Sequence, residues 1–360
     1  MPSATRRLIG QLLIGSLPGV DLTPEVRSLA REFSLGGLIL FARNIQEPAQ
    51  VADLSTRTQL LAAEDPLWVS VDQEGGRVAR LRAPFTEWPP MAALGRSADV
   101  PLAMRFARAL ARELRAVGIT LDYAPVLDVH TNPANPVIGD RALSEDAELA
   151  GRLGTAIIQA LQSEGVAACG KHFPGHGDTA VDSHLELPLV EHPPDRIRRV
   201  ECVPFRHAIA ADVAFIMTAH VLVPSLDETC PATLSSRVVH EMLHTELRYG
   251  GVVLSDDLEM RAIAASYTVP DAAVQAIAAG CDGVLICSGD PDVQAATLEA
   301  LVRAVEDGRI PYPRLEDALA RQRRAKSRFL SRPSSAPERL RDVVGCDAHR
   351  RIADEMARFV

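Results

Sequence analysis

A segment of nineteen residues, Gly170 to Pro188, holds many of the groups in this chain whose types and spacing suit proton transfer. It reads GKHFPGHGDTAVDSHLELP and carries three histidines, one lysine and two aspartates, which are His172, His176, His184, Lys171, Asp178 and Asp182. The apolar run before it predicts a buried strand, whereas its glycines and prolines disfavour both a helix and a regular strand ladder. We therefore expect these side chains on an ordered, irregular loop at the end of a strand, where α/β proteins place their chemistry.

The triplet Asp182-Ser183-His184 has the spacing of a tuned acid/base pair. A carboxylate two residues before a histidine on a loop can orient the imidazole and stabilise its charged form. Such a histidine can donate a proton and later accept one near neutral pH. Two solvated loop residues are the alternative that the spacing leaves open.

His172 and His176, with Asp178 nearby, also suggest a metal site, because imidazole and carboxylate groups are common zinc ligands. Lys171 and the Pro-Gly pair between the two histidines exclude their presentation from one helix. We therefore expect neither a metal nor a cofactor. His176 is expected instead to stabilise the loop through a hydrogen bond.

A second candidate group is Asp256, which follows a strongly apolar run in the sequence GGVVLSDDLEM. A carboxylate at the C-terminal end of a strand can serve as a nucleophile, a base or a metal ligand. Either Asp256 or Asp257 can instead cap the next helix. We expect one of the two to cap that helix and the other to do the chemistry.

Charged residues that suit a polyhydroxylated substrate occur in two further segments. The sequence DQEGGRVAR, from Asp72 to Arg80, combines carboxylates that accept from hydroxyl groups with arginines that donate to them. Its Gly-Gly pair only weakly indicates a phosphate-binding loop, because no lysine-serine pair follows. Arg141, in the sequence NPVIGDR, is similar, with a surface salt bridge as the alternative.

Eight short apolar runs alternate with segments of helical periodicity, and this order predicts the elements that position those groups. The predicted strands are 8–14, 37–41, 67–71, 121–127, 166–169, 214–217, 252–254 and 283–287, and the predicted helices are 24–35, 101–117, 147–163, 193–211, 236–248, 270–279, 291–307 and 313–330. Polar residues follow strand after strand, and the C-terminal strand ends of a (β/α)8 barrel all meet at one face. We therefore predict an α/β protein, a single-domain (β/α)8 barrel of the TIM type, rather than a doubly wound sheet.

The barrel is expected to span residues 1–330. Residues 331–360 are expected to form a linker-like stretch and a short amphipathic helix at about 348–359, not a separate domain. The sequence leaves open whether that helix docks on the barrel exterior or makes a dimer contact, so we expect a monomer or a weak dimer.

Composition narrows the class of protein. A content of 47% hydrophobic and 24% charged residues is typical of a soluble globular protein, and a net charge of -9 argues against nucleic-acid binding. No apolar run approaches the ~20 residues of a membrane span. Two arginines precede an apolar patch at the N-terminus, but the patch is short, contains glycine and lacks a cleavage site, so a first core strand is favoured over a signal peptide. The six scattered cysteines, some in apolar runs, suggest buried free thiols in a reducing cytoplasm.

Taken together, several segments resemble the bacterial family 3 glycoside hydrolases, specifically the single-domain β-N-acetylglucosaminidases (β-hexosaminidases) of the NagZ type. They are LFARNIQEPAQ (40–50), VDQEGGRVARL (71–81), LDYAPVLDV (121–129), NPVIGDRALSED (135–146), KHFPGHGDTAVDSHLELP (171–188), MTAHVLVPSLD (217–227), PATLS (231–235) and GVVLSDDLEM (251–260). The segments run in the family's order, and KHFPGHG followed by DSH and then SDD is very specific. The resemblance implies a (β/α)8 barrel.

The resemblance also implies a role for each matching residue. Asp256 matches the family's nucleophile, and His184 matches its acid/base, with Asp182 as its partner. The residues that match those holding the hydroxyl groups of a terminal N-acetylglucosamine are Asp72, Arg80, Arg141, Lys171 and His172.

The implied activity is a retaining exo-β-N-acetylglucosaminidase that acts through a covalent glycosyl-enzyme on Asp256. Its expected partner is a small carbohydrate, a terminal β-linked N-acetylglucosamine on peptidoglycan-derived muropeptides in the cytoplasm, and neither nucleic acid nor a membrane. An aromatic content of only 4% leaves few stacking platforms for a long sugar chain, which suits action on a terminal residue.

Three alternatives remain. A phosphorylase can use the same site, because a histidine repels an incoming phosphate less than a carboxylate does. A metal-dependent hydrolase would use His172, His176 and Asp256. A sugar-binding module without activity is disfavoured by the presence of both Asp256 and His184.

Overall fold

The computed structural model describes residues 4–62, 65–330 and 340–360. In chain order its strands are β1 Leu13–Ser16, β2 Gly37–Leu40, β3 Trp68–Val71, β4 Gln73–Gly75, β5 Val78–Ala79, β6 Leu121–Asp122, β7 Ala167–Phe173, β8 Phe215–Thr218, β9 Val252–Asp257 and β10 Gly283–Leu285. β4 and β5 form an antiparallel hairpin, and the other eight strands close into a barrel. The predicted single-domain (β/α)8 fold is confirmed.

Each barrel strand pairs in parallel with the next barrel strand along the chain, and β10 returns to β1. In the first pair Ile14 lies beside Gly37, and in the closing pair Leu13 lies beside Val284. Because all eight strands run in the same direction, their C-terminal ends meet at one face of the barrel. The polar residues that follow the strands are therefore brought together at that face.

Helices surround the barrel. They are α1 Ala4–Gly10, α2 Pro24–Phe33, α3 Pro48–Gln59, α4 Ala92–Ser97, α5 Val100–Ala116, α6 Ala147–Ser163, α7 Pro194–Arg199, α8 Val203–Ala210, α9 Arg261–Ala264, α10 Val269–Ala279, α11 Pro291–Glu306, α12 Tyr312–Phe329, α13 Leu340–Val343 and α14 Asp347–Ala357, with a π-helix at Arg237–Glu246. Several helix starts are capped by side chains, as at α6, where Asp146 accepts a hydrogen bond from the Leu149 N–H at 2.8 Å.

Some predicted bounds are wrong. Residues 8–10 belong to α1, because the start of the chain packs as a helix against α2 and α11 and the first strand begins only at Leu13. The predicted helix 193–211 is two helices, α7 and α8. Pro204 near the start of α8 has no N–H to continue a helix through residues 200–202. The helices α3, α4 and α9 and the β4–β5 hairpin were not predicted.

Two apolar cores hold the barrel together. The inner core fills the barrel with buried side chains such as Trp68, Tyr123 and Leu254, and Trp68 meets Phe215 edge to face at 5.2 Å between ring centroids. The larger core lies between the strands and the surrounding helices. A filled barrel leaves no channel, so a ligand can be held only at an end.

The last helices lie on the outside of the barrel. α13 and α14 contact α5, where the buried carboxylate of Glu113 accepts hydrogen bonds from the Gly345 N–H at 3.0 Å and from His349 Nδ1 at 2.8 Å. The exposed pair Arg105 and Glu355 adds a bidentate contact. The predicted linker-like stretch at 332–337 lies outside the described residues, and the division of the chain at residue 330 stays a prediction.

The structure bears on two further expectations, the absence of a membrane span and the presence of free thiols. No helix within the described ranges combines the length and the apolar character needed to cross a membrane. The six cysteines are free thiols, and four of them are buried: Cys169, Cys202, Cys281 and Cys287.

One buried lysine, Lys326 on α12, gives a stability prediction. Its Nζ donates to Gln11 Oε1 at 2.6 Å, and burial lowers its pKa to about 7. Between pH 7 and the ordinary lysine pKa near 10.5, the unfolded chain binds more protons than the folded chain, so stability rises with pH over this range. Lys326→Met is therefore expected to raise the free energy of unfolding by about 3 kcal/mol at pH 6, with the gain vanishing near pH 10.5.

Urea unfolding at pH 6, 8 and 10 measures this difference. The control is Arg323→Met, at an exposed position on the same helix. It accounts for the change in helix propensity and for the loss of one positive charge. A gain that is the same at all three pH values would contradict the buried-charge explanation.

Candidate active site

The C-terminal ends of the barrel strands surround a cavity of about 370 Å³, a size typical of small-molecule sites. Its lining residues are Ile39, Phe41, Arg43, Asp72, Arg80, Tyr123, His184, Met217, Asp256, Asp257, Glu259, Met260, Leu285, Cys287 and Ser288. Of the eight residues to which the family resemblance gave a role, four line the cavity: Asp72, Arg80, His184 and Asp256. The other four, Arg141, Lys171, His172 and Asp182, lie outside this lining.

Asp256 is the penultimate residue of β9, which carries it to the rim of the barrel. Its Oδ1 accepts a hydrogen bond from the Asp257 N–H at 2.8 Å. Burial alone would raise the pKa of Asp256, but the nearby His220, His172 and Lys171 side chains and this N–H hold that pKa below its ordinary value. Asp256 is therefore a charged carboxylate in the cavity, as a nucleophile must be.

The pKa of the neighbouring carboxyl group, Asp257, is shifted in the opposite direction. Burial raises the pKa of Asp257 to about 7, although its Oδ1 accepts a hydrogen bond from the Glu259 N–H at 3.1 Å. Two adjacent carboxyls whose pKa values are pushed apart are typical of sites that need one of them charged. The prediction that one of the pair caps the next helix is wrong, because α9 begins at Arg261 and no side chain caps it.

His220 fixes the backbone just beyond Asp256. Its Nε2 lies 2.9 Å from the Asp257 carbonyl oxygen and must donate to it. Burial lowers the pKa of His220, and its Nδ1 lies 2.8 Å from the Thr233 hydroxyl oxygen. The nucleophile candidate is thus held from a strand on one side and from a buried histidine on the other.

Asp182 and His184 form the expected pair. One carboxylate oxygen, Asp182 Oδ1, accepts from both the His184 N–H at 2.8 Å and His184 Nδ1 at 2.7 Å. Partial burial raises the pKa of Asp182, but these bonds outweigh it and hold that pKa below its ordinary value. A charged Asp182 fixes the proton of a neutral His184 on Nδ1, which leaves the lone pair on Nε2 free to accept a proton.

Ser183, between these two residues, is buried and anchors them. Its hydroxyl lies 3.1 Å from His176 Nε2, and its carbonyl accepts from the Ala262 N–H at 3.1 Å. Burial lowers the pKa of His176 to about 4, so its ring is neutral at working pH. Since the Thr179 hydroxyl donates to the His176 carbonyl, His176 Nδ1 donates to Thr179, and Nε2 accepts from Ser183. The expected hydrogen-bonding role of His176 is thus what its contacts provide.

Ser183→Ala should therefore displace His184 without removing it. We expect kcat to fall about tenfold with little change in KM, because a misplaced acid/base group weakens proton transfer more than binding. The pH profile should shift as well, and Ser183→Thr, which keeps the hydroxyl group, should restore both. Ser163 on distant α6, whose hydroxyl donates to the Ala160 carbonyl at 2.9 Å, provides the matched Ser→Ala control. Equal losses in the two alanine variants would contradict the anchoring role.

Beneath one wall of the cavity lies a network of buried charges. Lys171 Nζ donates to Asp72 Oδ1 and lies within ion-pair distance of Glu74 Oε1, both at 2.7 Å. Arg141 holds the same Glu74 through two bonds of 2.9 Å. Burial opposes the charged form of Glu74, but Arg141 and Lys171 keep its pKa well below the ordinary value. Arg141 therefore forms a buried ion pair with Glu74. The alternative interpretation, in which Arg141 makes a surface salt bridge, is wrong.

Asp72 is the member of this network that reaches the cavity. Besides the bond from Lys171, its Oδ2 lies 3.3 Å from Arg80 Nη2. Arg80 also lines the cavity, and its guanidinium lies 5.4 Å from the centre of the Phe41 ring. Asp72 and Arg80 together thus present an acceptor and a donor to the cavity.

His172 points to a different buried carboxylate. Its Nδ1 lies 2.7 Å from Asp128 Oδ2, and Asp128 also accepts from the His176 N–H at 2.7 Å. Lys171 and His172 both lie within β7, which extends to Phe173, so their predicted place in the following loop is wrong. The strand continues because Lys171 and Phe173 still pair with Met217 and Thr218 of β8.

Several cavity residues were missed by sequence reasoning. Phe41 is flanked by Arg43 at 4.8 Å as well as by Arg80, and Tyr123 forms part of the floor, with its hydroxyl donating to Ser70 at 2.9 Å. Both lie within the predicted strands 37–41 and 121–127, where an aromatic ring is expected to belong to the core, whereas the observed β2 and β6 end one residue before them. Glu74 lies in the DQEGG segment, but no role of its own was predicted for it beside Asp72.

Among the residues that the structure describes, no group of three or more His, Cys, Asp or Glu side chains is arranged to hold a metal ion. The histidines of the metal-dependent alternative use ring nitrogens in hydrogen bonds to other side chains. His172 contacts Asp128, and His176 contacts Thr179 and Ser183.

Comparison with known proteins places the chain in a family. The glycosyl hydrolase family 3 N-terminal domain matches residues 5–325. A beta-hexosaminidase of Nitrosomonas eutropha is 38% identical over 315 residues, covering 85% of this chain and 89% of that protein. Beta-hexosaminidase A of Pseudoalteromonas piscicida is 34% identical over 93% of this chain, which spans only 60% of that longer relative.

The solved structure of NagZ from Neisseria gonorrhoeae in complex with N-trifluoroacetyl-D-glucosamine is also similar. It superposes with a TM-score of 0.80 at 32% identity, covering 97% of each chain. The match therefore extends over the whole barrel rather than over one motif. With sequence and fold in agreement across nearly its full length, this chain is a glycosidase that belongs to glycosyl hydrolase family 3.

Proposed function

We propose that this glycosidase is a retaining exo-β-N-acetylglucosaminidase. The observation that carries the proposal is the meeting, in one cavity, of a charged Asp256 with a histidine whose Nδ1 proton is fixed by Asp182. The beta-hexosaminidase relatives and the N-acetylglucosamine-like ligand of the gonococcal NagZ support a terminal N-acetylhexosamine as the substrate.

In the first step an Asp256 carboxylate oxygen bonds to the anomeric carbon. The bond between that carbon and the leaving oxygen breaks through an oxocarbenium-like transition state, and protonated His184 gives its Nε2 proton to the leaving oxygen. The products are a glycosyl-aspartate ester, a free alcohol and neutral His184. Two displacements at one carbon are needed to retain configuration, so the ester must be an intermediate.

In the second step neutral His184 accepts a proton from water through Nε2, and the water oxygen bonds to the anomeric carbon. The ester bond to Asp256 breaks, which returns the carboxylate and the imidazolium. A histidine rather than a second carboxylate also avoids placing another negative charge beside the charged Asp256, in a cavity that Glu259 also lines.

The sugar is held by the charged wall. Asp72 accepts from substrate hydroxyl groups and Arg80 donates to them, while Lys171 and Arg141 fix Asp72 and Glu74 from behind. His172, paired with Asp128, borders the same end of β7. These roles require the sugar to be terminal, since the filled barrel closes the cavity from below.

The test is hydrolysis of 4-nitrophenyl β-N-acetylglucosaminide, followed by proton NMR of the sugar formed. We expect the β-anomer to appear first, at a rate independent of millimolar phosphate. The α-anomer would overturn the retaining mechanism. N-acetylglucosamine 1-phosphate formed in proportion to phosphate would establish the phosphorylase instead, and loss of activity with a chelator would favour the metal-dependent hydrolase.

For the natural substrate we propose muropeptides from peptidoglycan turnover in the cytoplasm, with the enzyme as a monomer or weak dimer. Rates on N-acetylglucosaminyl-anhydromuramic peptides and on chitobiose distinguish this substrate from a chitin fragment. Equal kcat/KM values would contradict a preference for muropeptides.

A further inference from the structure

A second cavity lies at the opposite end of the barrel from the candidate active site. It is bordered by the residues just before β8 and β9, that is, by the N-terminal ends of these strands, and its volume is about 390 Å³. Four arginines line it, Arg248, Arg321, Arg324 and Arg328. The one carboxylate in its lining is Asp212.

Three of the arginines are presented by one face of α12. The spacing of residues 321, 324 and 328 places them on adjacent turns of the helix. Arg321 Nη1 donates to the Tyr249 carbonyl at 3.1 Å, Arg324 Nη2 to the Gly250 carbonyl at 3.3 Å, and Arg328 Nη1 to the Asp212 carbonyl at 3.2 Å. These bonds fix the direction of each guanidinium and leave further N–H groups of Arg324 and Arg328 without a partner among the described residues.

The fourth arginine, Arg248, comes from the loop before β9. Its side chain is exposed and makes no hydrogen bond or ion pair within the described part of the chain. Its backbone has a φ of 56°, a left-handed conformation that is uncommon for a residue other than glycine. This conformation ends the preceding helix, since the N–H of the next residue, Tyr249, donates to the Leu243 carbonyl at 3.1 Å. The exposed guanidinium of Arg248 is therefore available to an external partner.

The charges in the cavity contrast with those of the whole molecule. Arg321 is paired with Asp317 at 3.2 Å and lies 3.8 Å from Asp282, and Arg328 binds Asp212, whose side chain is 85% exposed. Arg248 and Arg324 have no carboxylate partner among the described residues, so the cavity keeps an excess of positive charge. The chain as a whole carries a net charge of -9. A concave, locally positive surface on an acidic protein attracts small anions, and arginine forks match the oxygens of phosphate.

We propose that this basic cavity binds the phosphate group of a small metabolite. The volume admits a phosphorylated sugar or a mononucleotide but not a folded partner, and the converging guanidinium groups supply the charge-assisted hydrogen bonds. Because the site lies at the other end of the filled barrel, it does not compete with the glycoside, and the proposal stands or falls independently of the proposed function.

The probe is inorganic phosphate, titrated into the full-length protein by calorimetry at constant ionic strength, with hexose 6-phosphate and adenosine monophosphate as further arms. The variant is Arg248→Ala/Arg324→Ala. The matched control is Arg108→Ala/Arg303→Ala, which removes the same charge from two exposed arginines that bond to nothing among the described residues. We expect saturable binding that the first double variant weakens at least about tenfold and the control leaves unchanged.

Hydrolysis of the nitrophenyl glycoside verifies that each variant is folded. If the double variant fails to fold, Arg248→Gln alone, at an exposed side chain without partners, replaces it, with a loss of at least about threefold expected. The proposal is overturned if phosphate binds no better than chloride, or if the control weakens binding equally. Binding of a short RNA without binding of any phosphate monoester would also overturn it, in favour of a nucleic-acid surface.

Discussion

Changing Asp256 to asparagine is expected to lower kcat on an aryl β-N-acetylglucosaminide by at least about 10⁴-fold, because the amide cannot form the glycosyl ester. The side chain keeps its size, and its oxygen can still accept the Asp257 N–H that lies 2.8 Å away. Binding should therefore change little. Steady-state kinetics measure kcat. A calorimetric titration with N-acetylglucosamine measures the dissociation constant.

The matched control is Asp257→Asn, one residue along the same strand end and in the same cavity. Burial raises the pKa of Asp257 to about 7, so a neutral amide replaces a group that is already partly neutral at that pH. Its loss should be no more than about tenfold. If the two variants lost activity equally, the assignment of Asp256 as the nucleophile would be wrong.

A comparison with His184→Ala separates the two catalytic groups. The rate should fall by about 10²–10⁴-fold, as for the loss of a general acid/base, but less for a leaving group that needs no proton, such as dinitrophenol. Azide, a small nucleophile that needs no base, should restore the second step and yield the β-glycosyl azide. An Asp256 variant rescued in this way would give the α-azide instead, which tells the two roles apart.

The barrel was predictable because its signals are local. Eight apolar runs, the segments of helical periodicity between them and the polar residues that follow several of the runs depend only on neighbours in the sequence. The residues of the cavity wall were predictable for a related reason. Asp72 follows β3 directly and Asp256 is the penultimate residue of β9, and parallel strands bring such residues together.

What could not be predicted depends on contacts between distant segments. Nothing near Glu74 in the sequence indicates that it is shared by Lys171 and Arg141, which lie 97 and 67 residues away. Likewise, Ser183 gains its anchoring contacts only when the loop folds over His176 and α9 approaches. The start of the chain was predicted wrongly because an apolar run of seven residues fits either a strand or a helix, and packing decided for α1.

Glu74 provides the largest expected effect on stability. Its carboxylate is buried and holds two cations. Glu74→Gln leaves Lys171 with its bond to Asp72, and leaves Arg141 with only the more distant charges of Asp128 and Asp72 among the described residues. Breaking a buried ion pair on one side costs about 3–5 kcal/mol, whereas losing an exposed pair costs at most about 1 kcal/mol. Asp140→Asn, which breaks the half-exposed pair with Arg77 in the same region, is therefore the control.

The pH dependence of this difference has a definite sign. The folded-state pKa of Glu74 is lowered, so its contribution to stability is fully present above its ordinary pKa of 4.5 and is lost as the pH falls below that value. Urea unfolding at pH 7 should show Glu74→Gln as much the less stable of the two variants. At pH 3.5 the free energy of unfolding of the wild type should lie closer to that of Glu74→Gln than it does at pH 7. A gap that is constant with pH would mean that the carboxylate acts by shape rather than by charge, and the ion network would not be what holds Asp72 at the cavity.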